Sequence, residues 1–179
     1  MGLVLLTGGA RGGKSALAVR LASQQSTSVV FLATAQAGDE EMEARIARHR
    51  RERPGSWLTI EEPLCLREAI EEVDGAHWLI VDCLTLWAAN ALERLGAEEV
   101  EARATAAAAA ASARPGPTIA VSNEVGLGLV PDNPLGRSYR DLLGQVNMIW
   151  ATAADRTFLV VAGQALELQR ADSLAEGLW

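Results

Sequence analysis

The feature that most constrains this chain is a glycine-rich stretch close to its amino end. Residues 8–15 read Gly-Gly-Ala-Arg-Gly-Gly-Lys-Ser and match the pattern G-x-x-x-x-G-K-[ST] at every fixed position. An apolar run at 3–7 precedes them, and residues 15–22 carry leucines and alanines at helical spacing. A strand that passes through glycines into a helix is the setting in which this pattern forms a phosphate-binding loop.

Each residue type in this loop has a physical reason. Glycines allow the backbone to curl so that successive N–H groups point at anionic oxygens, and the following helix adds the positive end of its dipole. We expect Lys14 to contact the β- and γ-phosphates and the Ser15 hydroxyl to ligate Mg²⁺. The alternative, a glycine-rich turn that ends in Lys-Ser by chance, is disfavoured by the strand before it and the helix after it. The residues predicted to bind phosphate are Gly8, Gly9, Ala10, Arg11, Gly12, Gly13, Lys14 and Ser15.

Composition limits the class of protein and its partners. The 179 residues predict a single α/β domain over 1–179, and 49% hydrophobic with 22% charged residues is typical of a globular protein. A net charge of -7 disfavours nucleic acid and anionic membranes, so any affinity for phosphate has to be local. Cys65 and Cys83 fit neither a zinc spacing nor a disulfide framework, which favours the reducing cytoplasm. No apolar stretch reaches membrane-spanning length, and no basic segment precedes the first apolar run as in a signal peptide.

Short apolar runs alternate with segments of helical pattern along the chain. The runs are rich in β-branched and aliphatic residues without polar alternation, which indicates strands covered on both faces and a mainly parallel sheet. Strands alternating with helices predict an α/β three-layer sandwich of the P-loop NTPase type. Strands are predicted at 3–7, 29–33, 78–81, 118–121 and 157–161, with a further short one at 57–60. Helices are predicted at 15–22, 39–53, 63–73, 84–95, 97–113 and 135–154.

Three segments carry further expectations. The alanine-rich helix 97–113 lacks large side chains, so we expect it to be peripheral. An apolar stripe from Leu135 to Ala153 is expected to belong to the core. The residues after 161 are expected to form a polar tail ending at Trp179, either frayed or docked.

Ligands of such sheets bind beyond the carboxyl ends of the strands, which makes the residues after each run the ones to inspect. Asp82 directly follows the run 79–81, where a Walker-B aspartate holds Mg²⁺. The alternative for Asp82 is a helix-capping role before Leu84. Residues 122–134, rich in glycine and proline, predict an irregular loop at the same edge.

The helix at 39–53 is charged in an ordered way. Acidic residues crowd its start and arginines its end, which complements the helix dipole, while Met42, Ile46 and His49 share one face. Spacing alone favours a solvated helix whose histidine packs at the edge of the core over a catalytic histidine. The other histidine, His77, precedes a predicted buried strand without an arginine cluster, and we interpret it as structural.

Together these motifs resemble the bifunctional adenosylcobinamide kinase / adenosylcobinamide-phosphate guanylyltransferase family of cobalamin biosynthesis. The resemblance runs in the same order from the first strand to about Gly163. It includes the segments 8–15, 33–36, 41–42, 45–50, 81–85 and 122–131.

This resemblance implies two reactions on one scaffold, with ATP, GTP and Mg²⁺ as cofactors and the corrinoid adenosylcobinamide as substrate. The first moves a γ-phosphoryl group onto the aminopropanol hydroxyl of adenosylcobinamide. The second joins GMP from GTP to that phosphate through a guanylylated histidine, which corresponds to His49, and releases pyrophosphate. The family is also known as a homotrimer.

The resemblance also assigns residues. Ala33, Thr34 and Ala35 line the nucleotide site, Arg50 and Arg51 bind phosphate oxygens beside His49, and Glu61 and Asp82 contact the nucleotide. Asp82 or Glu124 orients or deprotonates the substrate hydroxyl, and the sequence does not choose between them.

The chain departs from the family pattern at three places. Gly12 replaces a usual serine, Val19 replaces a frequent acid, and Arg48-His49 stands where some relatives have two histidines. Two other interpretations stay open: a monofunctional P-loop small-molecule kinase with a structural His49, and a nucleotide-dependent regulatory module without chemistry.

Overall fold

The structure is a computed structural model that describes residues 2–175. Within them one seven-stranded sheet forms in the order β3-β2-β4-β5-β1-β6-β7, parallel except for the β6–β7 pair. The mainly parallel sheet predicted from the sequence is confirmed. The strands are β1 Leu3–Thr7, β2 Val29–Ala33, β3 Leu58–Glu61, β4 Trp78–Asp82, β5 Thr118–Val121, β6 Arg156–Val161 and β7 Gln164–Leu168. The helices are α1 Lys14–Gln25, α2 Glu40–Arg51, α3 Leu66–Glu72, α4 Leu84–Leu95, α5 Ala97–Ala113, α6 Pro134–Ala153 and α7 Ala171–Ala175.

The sheet is covered on both faces because alternate strand residues point to opposite sides. Leu3 and Leu5 of β1 belong to a core with residues of α3, α4, α5 and α6, whereas Leu6 packs on the other face with Ala18 and Ala22 of α1. The carboxyl ends of the parallel strands therefore open onto one edge, with α1 on one face and the helix layer on the other.

The expected polar tail after residue 161 is wrong for residues 164–168. Ala162 and Gly163 both have positive φ, 51° and 76°, and this tight turn folds β7 back antiparallel to β6. All five residues of β7 are exposed, so the strand lies at the edge of the sheet without the continuous apolar run that marks the buried strands. Trp179 lies outside the described residues.

The expected peripheral position of the alanine-rich helix is also wrong. Ala104, Ala107, Ala108 and Ala111 of α5 are buried in the same core as α3 and α6. Small side chains allow neighbouring helices to approach closely, so the absence of large residues reflects close packing and not exposure.

Two smaller boundaries differ from expectation. Helix α3 begins at Leu66 and not at Pro63, because the Glu62 carboxylate accepts the N–H groups of Leu64 and Cys65, each at 2.8 Å, and holds them in a turn. The stripe of α6 is buried at its centre, but Leu135 is exposed and does not belong to the core.

None of the helices within residues 2–175 is long and apolar enough to cross a membrane.

Candidate active site

The glycine-rich loop adopts a tight turn between β1 and α1. Gly8 and Gly13 have φ of 139° and 96°, values that favour glycine, and the Gly12 N–H donates to the Gly9 carbonyl at 3.2 Å. A Cβ on Gly8 would collide with the carbonyl oxygen of Val160 in the neighbouring strand. The loop is thus seated against β6 and has little freedom to change shape.

Lys14 is the only lysine of the 179 residues, and it lies inside this turn. Its side chain is 5% exposed, and its ammonium donates to the carbonyls of Gly8 and Gly9 at 2.8 Å each. Burial lowers the pKa of Lys14, as does Arg45, while Cys83 and Asp82 act in the opposite direction. The loop therefore holds one desolvated cation at its centre, ready for an anionic ligand.

Asp82 ends β4 and lines the same cleft as Ser15, and its Walker-B role stays a prediction. Burial raises the pKa of Asp82, against the lowering effect of the Ser15 hydroxyl and of His49, Arg53 and Lys14. Burial therefore disfavours the charged carboxylate, and the neighbouring hydroxyl and cations offset part of that cost.

Helix α2 carries His49. The Asp39 side chain caps the helix by accepting the Met42 N–H at 2.8 Å, and the arginine-rich last turn completes the dipole pattern predicted from sequence. No residue of α2 is fully buried. The His49 side chain is 33% exposed, and its Nδ1 lies 3.6 Å from the Glu52 carboxylate. The imidazole is thus at the surface and not in the core.

Arg53 fixes the end of α2 to the sheet. Its guanidinium carbon lies 3.8 Å from the centroid of the Phe31 ring, and its Nε donates to the His49 carbonyl at 3.0 Å. A stacked arginine that also binds the backbone of the histidine sets the position of the imidazole relative to β2.

A cleft of about 170 Å³ joins these parts between α1 and α2. It brings the predicted residues Ser15, Asp82 and His49 together, with Glu52 and Arg53 beside the imidazole. Its other lining residues are Ala16, Val19, Arg20 and Phe31. A serine of the glycine-rich turn and a histidine of α2 thus share one cleft.

Other predicted residues lie outside the lining of this cleft. Thr34 is fully buried, and its hydroxyl donates to the Cys83 carbonyl at 2.7 Å and accepts the Cys83 N–H at 2.9 Å. It ties the end of β2 to the end of β4, whereas Ala33 and Ala35 beside it are half-buried.

Arg50 and Glu61 form an ion pair with each other between α2 and β3, and both are more than half exposed. Arg51 is exposed as well. These three charged residues are therefore at the surface near the end of α2, outside the lining of the cleft.

Sequence reasoning missed several residues that build the site. Glu52 follows His49 by three positions, so the helical period could have identified it, as the same period places Arg53 beside His49 at four positions. Phe31 lies within an apolar strand and gave no signal. Gly163, in the turn before β7, donates its N–H to the Gly12 carbonyl at 3.0 Å, a contact that required the unpredicted hairpin.

The loop after β5 lies beside the glycine-rich turn. The Glu124 N–H donates to the Gly8 carbonyl at 3.0 Å, while its carboxylate accepts the N–H groups of Gly126 at 2.6 Å and Leu127 at 3.0 Å. Both oxygens of Glu124 therefore organise its own loop.

The fold and the glycine-rich loop of residues 8–15 define the class of this chain: a P-loop nucleotide-binding protein. Solved structures of this fold include the flagellar accessory protein FlaH from Methanocaldococcus jannaschii, at 17% identity and a TM-score of 0.54, covering 94% of this chain and 78% of that one. A type III secretion ATPase of pathogenic bacteria gives 13% identity and a TM-score of 0.58, covering 97% of this chain and 60% of that one. At these identities the similarity shows the fold alone.

Sequence comparison defines the family. The family model described as "Cobinamide kinase / cobinamide phosphate guanyltransferase" matches residues 4–168. The bifunctional adenosylcobalamin biosynthesis protein CobP of Pseudomonas aeruginosa is 43% identical over 166 residues, which is 92% of this chain and 96% of that protein. CobU of Escherichia coli, with the same description, is 35% identical, covering 93% of this chain and 99% of its own length. The chain therefore belongs to the cobinamide kinase / cobinamide phosphate guanyltransferase family, and the resemblance stated from its motifs is confirmed.

Proposed function

We propose that this enzyme phosphorylates adenosylcobinamide with ATP or GTP and then transfers GMP from GTP to the product through a guanylyl-His49 intermediate. The observation that carries the proposal is the shared cleft, in which the imidazole of His49 lies with Ser15 of the phosphate-binding loop and Asp82. Membership of the family supports the two activities.

In the kinase step, the hydroxyl oxygen of the corrinoid attacks the γ-phosphorus. A new O–P bond forms, the bond to the nucleoside diphosphate breaks, and the hydroxyl proton passes to the Asp82 carboxylate or to water. Lys14 and the loop N–H groups stabilise charge on the transferred group. Both carboxylate oxygens of Glu124 already accept N–H groups of its own loop, which supports a positioning role for Glu124. Asp82 is then the carboxylate that orients or deprotonates the substrate hydroxyl.

In the transfer step, a nitrogen of His49 attacks the α-phosphorus of GTP and pyrophosphate leaves. The phosphate of the corrinoid then attacks the same phosphorus, the N–P bond breaks and the imidazole is regenerated. Glu52 lies beside Nδ1, so Nε2 is the nitrogen left for attack, and the carboxylate offsets the positive charge that develops on the ring. Arg53 and the exposed arginines of α2 balance the triphosphate charge.

Cys83 is the rival nucleophile near the loop. Burial raises its pKa to about 11, so it is a thiol and not a thiolate at neutral pH. This leaves His49 as the nucleophile that the chain offers to the cleft.

The donor set fits Mg²⁺. Ser15 and Asp82 supply a hydroxyl and a carboxylate, the hard oxygen ligands that Mg²⁺ takes together with phosphate oxygens and water. Residues 2–175 contain no cluster of three or more histidine, cysteine or acidic side chains that could hold a metal without the nucleotide. When bound, Mg²⁺ neutralises charge on the transferred phosphoryl group.

The second candidate is a monofunctional kinase, favoured by the position of Lys14, which serves the first step alone. Purified enzyme incubated with adenosylcobinamide and ATP, then with GTP, distinguishes the two by product analysis. We expect adenosylcobinamide phosphate first and adenosylcobinamide-GDP after GTP is added. Accumulation of the phosphate without the GDP product would favour the monofunctional kinase, and no corrinoid product at all would leave a regulatory module.

We also propose a single domain over 1–179 and a cytoplasmic homotrimer. One sheet holds the strands of residues 2–175, which supports the first. Light scattering of the purified chain measures the oligomeric state, and a mass of three chains is expected.

A further inference from the structure

The loop between β5 and α6, residues 122–133, and the start of α6 present apolar side chains to solvent. Leu127 is 84% exposed and Leu129 95%, and Val130 and Leu135 are exposed as well. Single exposed leucines are ordinary, but four large apolar side chains within nine residues are a candidate binding surface. We call these four residues the apolar patch.

The patch lies on an ordered loop. At one end the Glu124 carboxylate accepts two N–H groups of the loop. At the other, the Arg137 guanidinium donates to the carbonyls of Pro131 at 3.0 Å and Asp132 at 2.9 Å. A surface held at both ends loses little conformational entropy when it binds a ligand.

A second set of hydrogen bonds supports the loop from below. The Asn123 N–H donates to the Thr85 hydroxyl at 2.7 Å, and the Tyr139 hydroxyl donates to the Thr85 carbonyl at 3.0 Å. Asn147 donates to the Asn123 carbonyl at 2.9 Å. The loop is thus fixed to α4 and α6.

The position of the patch relates it to the phosphate site. Its loop contacts the glycine-rich turn through the Glu124 N–H and the Gly8 carbonyl, and it continues into α6 on the face of the sheet opposite α1. The cationic end of α2 borders the cleft on the α1 side. The loop of the apolar patch and the cationic end of α2 therefore approach the glycine-rich turn from different sides.

We propose that the apolar patch is the docking surface for the corrin macrocycle of the phosphoryl acceptor. Glu124 positions the loop that carries the patch. This inference rests on the proposed function. Residues 125–131 carry no charged side chain, which suits a broad macrocycle edged with methyl groups and neutral amides and does not suit a polyanionic nucleotide. Cations on one side and an apolar surface on the other thus separate the two substrates by their chemistry.

The test is the double variant Leu127→Ser/Leu129→Ser, with Leu58→Ser as the matched control. Leu58 is also an exposed leucine, but it lies at the start of β3, far in the sheet order from β1. We expect the KM for adenosylcobinamide in the kinase reaction to rise roughly tenfold or more in the double variant, with a much smaller change in the KM for ATP. The control is expected to keep both values.

Several outcomes would overturn the assignment. An unchanged KM for adenosylcobinamide removes it while leaving the proposed function intact, whereas a wild-type enzyme that turns over no corrinoid removes the proposed function and the assignment with it. Conversion of a wild-type oligomer to monomers by the double variant, seen by light scattering, would make the patch an interface between copies of the chain. If the double variant does not fold, Leu129→Ser alone is used, and equilibrium dialysis with cobinamide gives the same comparison.

Discussion

The phosphate-binding loop and helix α2 meet at one cleft, yet they are built in opposite ways. The loop is packed against β6, and its lysine is almost fully buried with two backbone acceptors. Helix α2 has no fully buried residue, and its histidine is one-third exposed. Holding a triphosphate requires fixed donors, whereas a nucleophile has to reach the substrate and be released from it. Substitutions in the loop should therefore affect both stability and catalysis, whereas substitutions in α2 should affect catalysis alone.

The largest effect is expected for His49→Ala. The change removes the proposed nucleophile, so guanylyl transfer should fall at least roughly 10⁴-fold while the kinase rate stays within about twofold. Separate assays of adenosylcobinamide phosphate and adenosylcobinamide-GDP give both numbers. The control is His77→Ala, which should retain transfer. Equal loss of both activities in His49→Ala would contradict the division of labour between loop and helix.

Lys14→Ala should come next. The kinase rate is expected to fall roughly 10²–10³-fold, because the variant lacks the cation nearest the transferred group. Arg51→Ala, on the exposed face of α2, is the comparison for loss of a cation. Wild-type kinase rates in Lys14→Ala would refute the assignment.

A pair of glycine substitutions measures the rigidity of the loop. Gly8→Ala should lower the free energy of unfolding by about 3 kcal/mol, because its φ is positive and the added Cβ meets the Val160 carbonyl. Gly144→Ala, in the middle of α6 with open space around it, should raise the same free energy by about 0.5–1 kcal/mol. Denaturant titration gives both values, and a neutral Gly8→Ala would show that the loop is not constrained by β6.

The pH dependence of stability tests the charge of the cleft. Burial raises the pKa of Asp82 in the folded chain, so the folded state binds more protons than the unfolded state. The free energy of unfolding therefore falls as the pH rises from the ordinary aspartate pKa through the raised value. In Asp82→Asn this loss should disappear, so the variant gains on the wild type as the pH rises.

Glu167 is the opposite control for that measurement. Its hydrogen bonds with Arg156 lower its pKa, so the stability it contributes is present above the ordinary glutamate pKa and is lost as the pH falls. Glu167→Gln should therefore be less stable than the wild type at neutral pH and equal to it in acid. The same trend for both variants would contradict the electrostatic account of the cleft.

The smallest effect is expected for the ion pair between Arg50 of α2 and Glu61 of β3. Arg50 and Glu61 are more than half exposed, so Glu61→Ala should change the free energy of unfolding by less than about 1 kcal/mol. Thr34→Ala, which leaves the buried N–H of Cys83 without its acceptor, is the matched comparison and should cost about 1–3 kcal/mol. A larger loss of unfolding free energy in Glu61→Ala than in Thr34→Ala would contradict the expectation that the exposed ion pair stabilises the fold less than the buried hydrogen bond.

The same contrast explains how much the sequence could predict. The loop and Asp82 follow from local pattern, because a buried strand, a glycine turn and a helix are fixed by nearby residues. The place of His49 depends on α1, which lies far away in the chain, so spacing alone favoured a structural histidine and only the family resemblance suggested chemistry. The sequence does not reveal β7 because this exposed edge strand lacks the continuous apolar run of the buried strands. It does not reveal the burial of α5 because an alanine-rich helix has no large apolar side chains to mark a core face.

The most direct test of the account is to incubate the enzyme with labelled GTP without a corrinoid and to map the modified peptide. The account predicts an acid-labile, base-stable GMP label on His49, which appears as pyrophosphate is released and is lost when adenosylcobinamide phosphate is added. A label on another residue, or none on an enzyme that still forms adenosylcobinamide-GDP, would contradict it.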